Sequence, residues 1–390
     1  MTNQKNIFCT APFKTAVIDK NGTMMPCCEF MPGVAKDGNT HTKIDQINQW
    51  WAKDLTVLRD NMINNIPSEQ CHHCYNKEEN LNYESVRQTI NAKYKSDIDS
   101  IISDYKNGQL SNIDEIEIRV SNYCNLRCIM CGGFASSSLA SEYEIHKEKF
   151  VTELGMLMPH EKTVRWWDDP NNLNNLKNVL AHASIVKFAG GEPLMVPEVV
   201  DILNSLNTNT VKWIKFNTNL TRLTDKFLTA LERFENVELT VSLEGYGAHN
   251  EYIRYDSDWS VIENNINRAR EHSNISIYIN HVLQHTSLFS LPNLIKFADD
   301  KNIKINIHEI YYGTLPSPGV LTIHSAHAKD IEKFKSWLDS YNGRYKTILT
   351  TWVNTYNYSQ EFHDKFYKYI NLLDSIRGCN FKETFNPTTE

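Results

Sequence analysis

Ser121-Asn122-Tyr123-Cys124-Asn125-Leu126-Arg127-Cys128-Ile129-Met130-Cys131-Gly132-Gly133 decides how this chain is read. Its three cysteines are spaced C-x3-C-x2-C within one short stretch. A closed tetrahedral metal site takes four ligands. A [4Fe–4S] cube also takes four, one per iron. Three neighbouring thiolates therefore suggest a cube with one iron left open, and an open metal position is where chemistry happens. The competing reading is a zinc knuckle that lacks its fourth ligand.

The flanking sequence places this stretch in a fold. Just before it, Ile116, Ile118 and Val120 alternate with Glu117 and Arg119, the pattern of a strand leading into the cysteine loop. Five more strand patterns follow. Residues 185–188 run into Ala189-Gly190-Gly191-Glu192-Pro193, 211–216 into Asn217-Thr218-Asn219, and 237–243 into Glu244-Gly245. Residues 275–283 and 303–310 complete the six. Helical patterns lie near 139–150, 173–183, 196–206, 224–234, 259–272 and 291–300, with an irregular insert at 151–170. Repeated strand–helix units predict an α/β fold with a parallel sheet or barrel. In such folds ligands gather at the carboxyl ends of strands, where these motifs fall.

The amino-terminal part reads differently. A strand over 13–18, the turn signal Asn21-Gly22 and a return through Met24-Met25 form a hairpin that ends on Cys27 and Cys28. A loop with Pro32, Gly33 and Gly38 runs to about His41. Ile44, Ile47, Trp51, Leu55, Leu58 and Met62 then mark an amphipathic helix over 44–65 that leads to Cys71-His72-His73-Cys74. Cys9, Cys27, Cys71 and Cys74 make a plausible four-thiolate site, with Cys28 as a substitute for Cys27. A structural zinc and an iron–sulfur cluster both fit that set. His72 and His73 read as flanking groups. Residues 77–107 predict one or two linking helices, with Arg87 as a solvated or salt-bridged residue or an anion binder. After Pro316 and Pro318 the strand pattern stops, and 328–341 and 361–376 predict a helical tail capped by Gly378. Cys379 reads as a cysteine without a ligand role.

Composition narrows the class. The chain has 390 residues, 41% of them hydrophobic, and a net charge of −7. No apolar run nears the roughly 18 residues that span a membrane, and the first residues lack the apolar core of a signal peptide. A cytoplasmic protein is expected. No long basic block signals nucleic-acid binding. Eight of the nine cysteines lie within the first 131 residues, which favours metal or cluster binding over a disulfide framework.

The C-x3-C-x2-C loop after the first strand, with Gly-Gly-Glu-Pro after the second, resembles the radical S-adenosylmethionine (SAM) superfamily. The resemblance implies a partial (β/α)6 barrel in which Cys124, Cys128 and Cys131 hold a [4Fe–4S] cluster and SAM chelates the fourth iron. It implies reductive cleavage of SAM to a 5′-deoxyadenosyl radical that takes hydrogen from substrate. Gly190, Gly191 and Glu192 would hold the SAM amino group, Asn217 and Asn219 would lie near SAM, and Ser242 and Glu244 near its ribose. Arg254 would pair with its carboxylate, and backbone at Ile129 and Met130 would meet adenine. Met130 stands where the superfamily often has an aromatic residue. Asn280, His281 and Val282, and His308 and Glu309, end the last two strands; none is assigned as catalytic base.

The G-x4-C hairpin from Gly22 to Cys27 resembles SPASM and twitch domains, which carry auxiliary [4Fe–4S] clusters; here it precedes the barrel. The expected organisation is a twitch-like domain over 1–76, a helical linker over 77–110, the barrel over 111–320 and a helical extension over 321–390. The implied function is oxidation of a peptide or protein side chain, with the auxiliary cluster as electron acceptor and a flavodoxin- or ferredoxin-type donor. A dehydrogenase or epimerase of a small polar metabolite, a sugar or nucleotide, is the alternative. A non-catalytic zinc-binding protein is the reading from another class.

Overall fold

Strand formation follows the alternation read above. In the computed structural model, Glu115–Arg119 is β3, with Ile116 and Ile118 fully buried. Residues 7–31, 43–81, 84–156, 162–310 and 319–388 are described. The prolines at 32, 316 and 318, the loop to His41, the amino-terminal six residues and part of the 151–170 insert lie outside them. The other strands are β1 (Thr15–Ile18), β2 (Met24–Met25), β4 (Ile185–Ala189), β5 (Trp213–Thr218), β6 (Asn236–Ser242), β7 (Ile275–Leu283) and β8 (Lys304–Glu309). They form one sheet in the order β2-β1-β3-β4-β5-β6-β7-β8.

The six strands read from the sequence are therefore joined by two more. β1 pairs parallel with β3, from Thr15 opposite Glu115 to Ile18 opposite Ile118, and antiparallel with β2. All four β1 residues are buried, so this strand lacks polar alternation, as expected for one flanked on both edges and covered on both faces. The chain folds as two compact units.

The first unit comprises Met1–Ser121, Val164–Phe216 and Thr229–Val237. It contains the parallel run β1-β3-β4 and its pairing with β5 from Ile185 opposite Trp213 to Phe188 opposite Phe216. Phe188 and Phe216 stack with ring centres 5.0 Å apart. The helix expected over 44–65 is broken. A 3-10 turn (Ile44–Gln46), an α-turn (Ile47–Gln49) and a π-turn (Trp50–Asp54) precede the α-helix Thr56–Ile63. The cause is Arg59. Its buried guanidinium takes the Trp51 carbonyl at 2.6 Å and the Pro12 carbonyl at 2.8 Å, while the Leu55 N–H bonds five residues back to Trp50. A side chain inserted into the ladder produces such a π-bulge.

The second unit comprises Asn122–Thr163, Asn217–Leu228 and Glu238–Glu390. It holds β7 and β8, paired parallel from Tyr278 opposite Lys304 to Leu283 opposite Glu309. The tail forms helices Ala328–Ser340, Lys346–Asn354, Gln360–Arg377 and Phe381–Phe385. Gly378 adopts φ 66° and terminates the long helix, as its sequence position predicts. Phe366, Tyr369, Ile370, Leu373 and Phe381 from this tail pack with Ile129 of the cysteine loop in one apolar cluster.

Candidate active site

The cysteine loop owes its shape to backbone bonds. Ile129 N donates to Ile253 O at 2.9 Å, and Arg127 N donates to Tyr255 O at 3.0 Å. These bonds lay the loop alongside the residues that flank Arg254. Ser136 caps the helix Ser137–Ile145 by accepting from Leu139 N, and its hydroxyl donates to Leu126 O at 2.6 Å. Ser138 Oγ donates to Cys124 O at 2.8 Å. The loop therefore enters a helix directly, and the cap fixes its exit.

Arg254 is the charge set against the thiols. One guanidinium nitrogen lies 3.7 Å from Cys128 Sγ, and another donates to Glu244 Oε1 at 2.7 Å. Its Nε–H is buried and has no partner among the described residues. Glu244 is fully buried: Oε2 accepts from Val282 N at 2.9 Å and lies 3.4 Å from His281 Nδ1. Burial pushes the Cys128 thiol up, against the opposing pull of Arg254. Burial likewise pushes Cys131 up to about 12, with Cys128 adding to it. Buried, crowded thiols of this kind stay protonated unless a cation takes them.

Asn219 reaches the third thiol. Its Nδ2 lies 3.9 Å from Cys124 Sγ and donates to Asn125 Oδ1 at 3.1 Å. Its Oδ1 accepts from Thr221 N and Thr221 Oγ1. Asn217 is half-buried at the end of β5, and Ser242 half-buried at the end of β6. Met130 packs against the tail's apolar cluster. His281 is wholly buried between Leu243 O and Ser287 Oγ, whereas His308 and Glu309 are exposed.

Five loop-holding residues carry no local sequence signal. Tyr369 OH donates to Ile129 O at 2.8 Å. Arg377 grips Glu142 with two bonds of 3.0 and 2.7 Å, and Glu142 also binds Arg127 at 2.9 Å. Arg127 further pairs with Asp256.

In the first unit, the Gly-Gly-Glu-Pro turn follows β4. Gly190 has φ +117°, and a Cβ there would stand 2.7 Å from Ser121 O. Gly191 N donates to that same carbonyl at 2.6 Å. The turn thus packs on the residue that precedes the cysteine loop, and only glycine fits. Glu192 is buried and accepts from Leu194 N at 3.0 Å. A Gly190→Ala variant should lose about 1–3 kcal/mol of stability, read by denaturant unfolding; an unchanged midpoint would mean the turn relaxes without cost.

The amino-terminal thiols gather as well. Cys9, Cys27, Cys71 and Cys74 line one small cavity with Met62 and Arg87. Burial pushes Cys9 and Cys71 each up to about 12, with neighbouring thiols adding to the effect. Among the described residues, no three His, Cys, Asp or Glu side chains converge closely enough to hold a single metal ion. Cys28 is exposed, and its charged neighbours are Glu117, Lys187, Arg119 and Glu29. Arg87 is buried, salt-bridged to Glu78 and bonded to Phe8 O at 2.9 Å. His73 meets Glu29 at 3.3 Å. Cys379 lies 3.1 Å from Asp374 Oδ1. No helix among the described residues is long and apolar enough to cross a membrane.

Residues 118–298 match the family model of the Radical SAM superfamily. A GTP 3′,8-cyclase of Listeria welshimeri is 25% identical over 202 residues, which cover 50% of this chain and 54% of the relative. The chain thus spans about half the length of that curated relative. Among solved structures, anSMEcpe with bound AdoMet is 18% identical, with TM-score 0.42, over 62% of this chain and 60% of that one. Streptococcus suis SuiB bound to precursor peptide SuiA is 16% identical, with TM-score 0.39, over 76% and 59%. The superfamily implies a [4Fe–4S] cluster and SAM.

Proposed function

We propose that this radical SAM chain oxidises a peptide or protein side chain and carries a second, auxiliary [4Fe–4S] cluster. The observation that supports it most is Arg254, laid between Glu244 and Cys128 with a buried N–H left over, in the unit that holds the three loop cysteines. A planar guanidinium with a spare donor suits a carboxylate such as that of SAM. Three thiols with an adjacent cationic donor suit a cluster with one open iron.

When bound, the cluster supplies the electron that splits SAM into methionine and a 5′-deoxyadenosyl radical. Cys124, Cys128 and Cys131 hold it. Glu244, with both oxygens already engaged, acts as the anchor that aims Arg254, and Ser242 is half-buried at the end of β6. The Gly-Gly-Glu-Pro turn enters the proposal on its motif. Tyr369 and the apolar tail cover the loop and keep water from it.

Removal of one hydrogen atom from substrate leaves a radical that must lose one electron and one proton to finish a two-electron oxidation. The cavity of Cys9, Cys27, Cys71 and Cys74 would hold the acceptor of that electron. Full ligation by four thiols leaves no iron open for substrate, which favours the electron role. A nucleotide or other small metabolite is the second reading, favoured by the sequence match to a GTP 3′,8-cyclase.

Anaerobic reconstitution with iron and sulfide tests this. About eight irons per chain and two paramagnetic signals are expected; two zinc ions and no iron would defeat it. Arg254→Lys should raise the SAM KM about tenfold, since a point charge replaces the bidentate fork, with kcat less affected. An unchanged KM would remove Arg254 from SAM binding.

A further inference from the structure

Gln284, His285 and Thr286 follow the carboxyl end of β7, and each is 1% exposed. Four polar atoms in these consecutive residues have no hydrogen-bond partner among the described residues: Gln284 Oε1 and Nε2, His285 Nε2 and Thr286 Oγ1. Buried polar atoms are almost always paired, because an orphan forfeits its hydration with no return. The surroundings show no general slackness. His281, on the same strand, has both ring nitrogens engaged, and Ser287 and Ser290 bond to the protein. Thr286 stands at the cap position of the helix Ser287–Asp300, yet its side chain makes no capping bond.

Most of the backbone here is committed. His285 N donates to Leu321 O at 2.7 Å, and Ser287 N and Phe289 N bond back to Gln284 O and Thr286 O. The His285 ring stacks on Phe366 at 3.9 Å, and its Nδ1 meets Ser325 Oγ at 2.8 Å. Ser325 Oγ in turn reaches Thr322 O at 2.7 Å. If the single Ser325 proton serves that carbonyl, His285 Nδ1 carries the ring hydrogen and Nε2 presents a bare lone pair. Burial holds this imidazole neutral, its pKa pushed down to about 3.

We propose that Gln284, His285 and Thr286 form a substrate-recognition site for an amide-type edge, a neutral group that offers N–H and C=O together. The carboxamide supplies one donor and one acceptor, the imidazole an acceptor, and the hydroxyl either. No charged side chain takes part, which disfavours phosphate or carboxylate as the group recognised. The position fits, since ligands of parallel sheets lie beyond the carboxyl ends of strands. A peptide bond and a nucleobase lactam share this chemistry. The inference specifies the substrate side of the proposed enzyme and rests on that reading for its role in catalysis, but its test needs no SAM cleavage.

The test uses the full, anaerobically reconstituted chain and three near-isosteric variants, Gln284→Met, His285→Phe and Thr286→Val. Thermal midpoints are read alone and with N-acetylglycine N-methylamide or guanosine, each compared between wild type and variant so that general solvent effects cancel. Gln284→Met and Thr286→Val, which remove only orphaned atoms, should raise the ligand-free midpoint by about 1–4 °C, whereas His285→Phe also gives up the Nδ1 bond to Ser325 and is read for its response to the probes alone. One of the two probes should raise the wild-type midpoint and lose that effect in the variants; which probe does so identifies the source. Midpoints that fall in both Gln284→Met and Thr286→Val would mean that these atoms are structural, satisfied by buried water. That result, or the absence of protection by both probes, overturns the site. A site that fails while SAM is still cleaved leaves the enzyme reading intact. Intact SAM beside probe protection removes the enzyme reading alone.

Discussion

Replacing Cys124, Cys128 and Cys131 together by alanine should remove half of the chain's reconstituted iron and abolish SAM cleavage. The sequence spacing and the fold both bear on this. The thiols sit on a loop whose path is fixed by backbone bonds to Ile253 and Tyr255 and by the Ser136 cap, none of which involves sulfur. The variant should therefore fold, and its thermal midpoint without iron should match that of the iron-free parent. The other half of the iron should stay, held by Cys9, Cys27, Cys71 and Cys74. Iron analysis and a methionine assay read the outcome. Cleavage that persists in the triple variant would show that the loop is not the site.

Glu142→Ala should cost about 3–5 kcal/mol, the scale for a buried ion pair broken on one side. The Glu142 and Arg377 side chains are each 1% exposed, and their two-bond contact ties the tail to the helix that leaves the cysteine loop. Removing the carboxylate strands the buried Arg377, which keeps the Tyr255 ring at 4.9 Å as a cation–π contact. It also frees Arg127, which retains Asp256. Glu142→Gln should cost less, because an acceptor remains. Converting both residues to methionine should recover most of the loss. Denaturant unfolding decides: a Glu142→Ala loss below about 1 kcal/mol would mean that water reaches Arg377.

These two experiments divide along a line between what local sequence carries and what it cannot. The six strands β3 to β8 and the motifs at their ends are legible because alternation and short apolar runs are local. The cysteine loop is legible because cysteine spacing is local too. Glu142 and Arg377 are 235 residues apart, so nothing near either announces the other. The parallel pairing of β1 with β3 is equally silent, since both strands satisfy their own patterns before they meet. The broken helix over 44–65 has the right apolar spacing; only the Arg59 side chain, diverting the Trp51 carbonyl, interrupts it. Glu244 shows the same limit within a motif. Its position after β6 reads as ligand-facing, whereas its carboxylate is enclosed by Arg254 and the Val282 N–H. The orphaned atoms at 284–286 depend on what fails to approach them, which no periodicity records.

The most direct measurement is SAM cleavage by the reduced, reconstituted full chain. Methionine and 5′-deoxyadenosine should appear together in equal amounts, dependent on reductant. SAM recovered intact from protein carrying its full iron complement would show that Cys124, Cys128 and Cys131 do not build a radical-generating site.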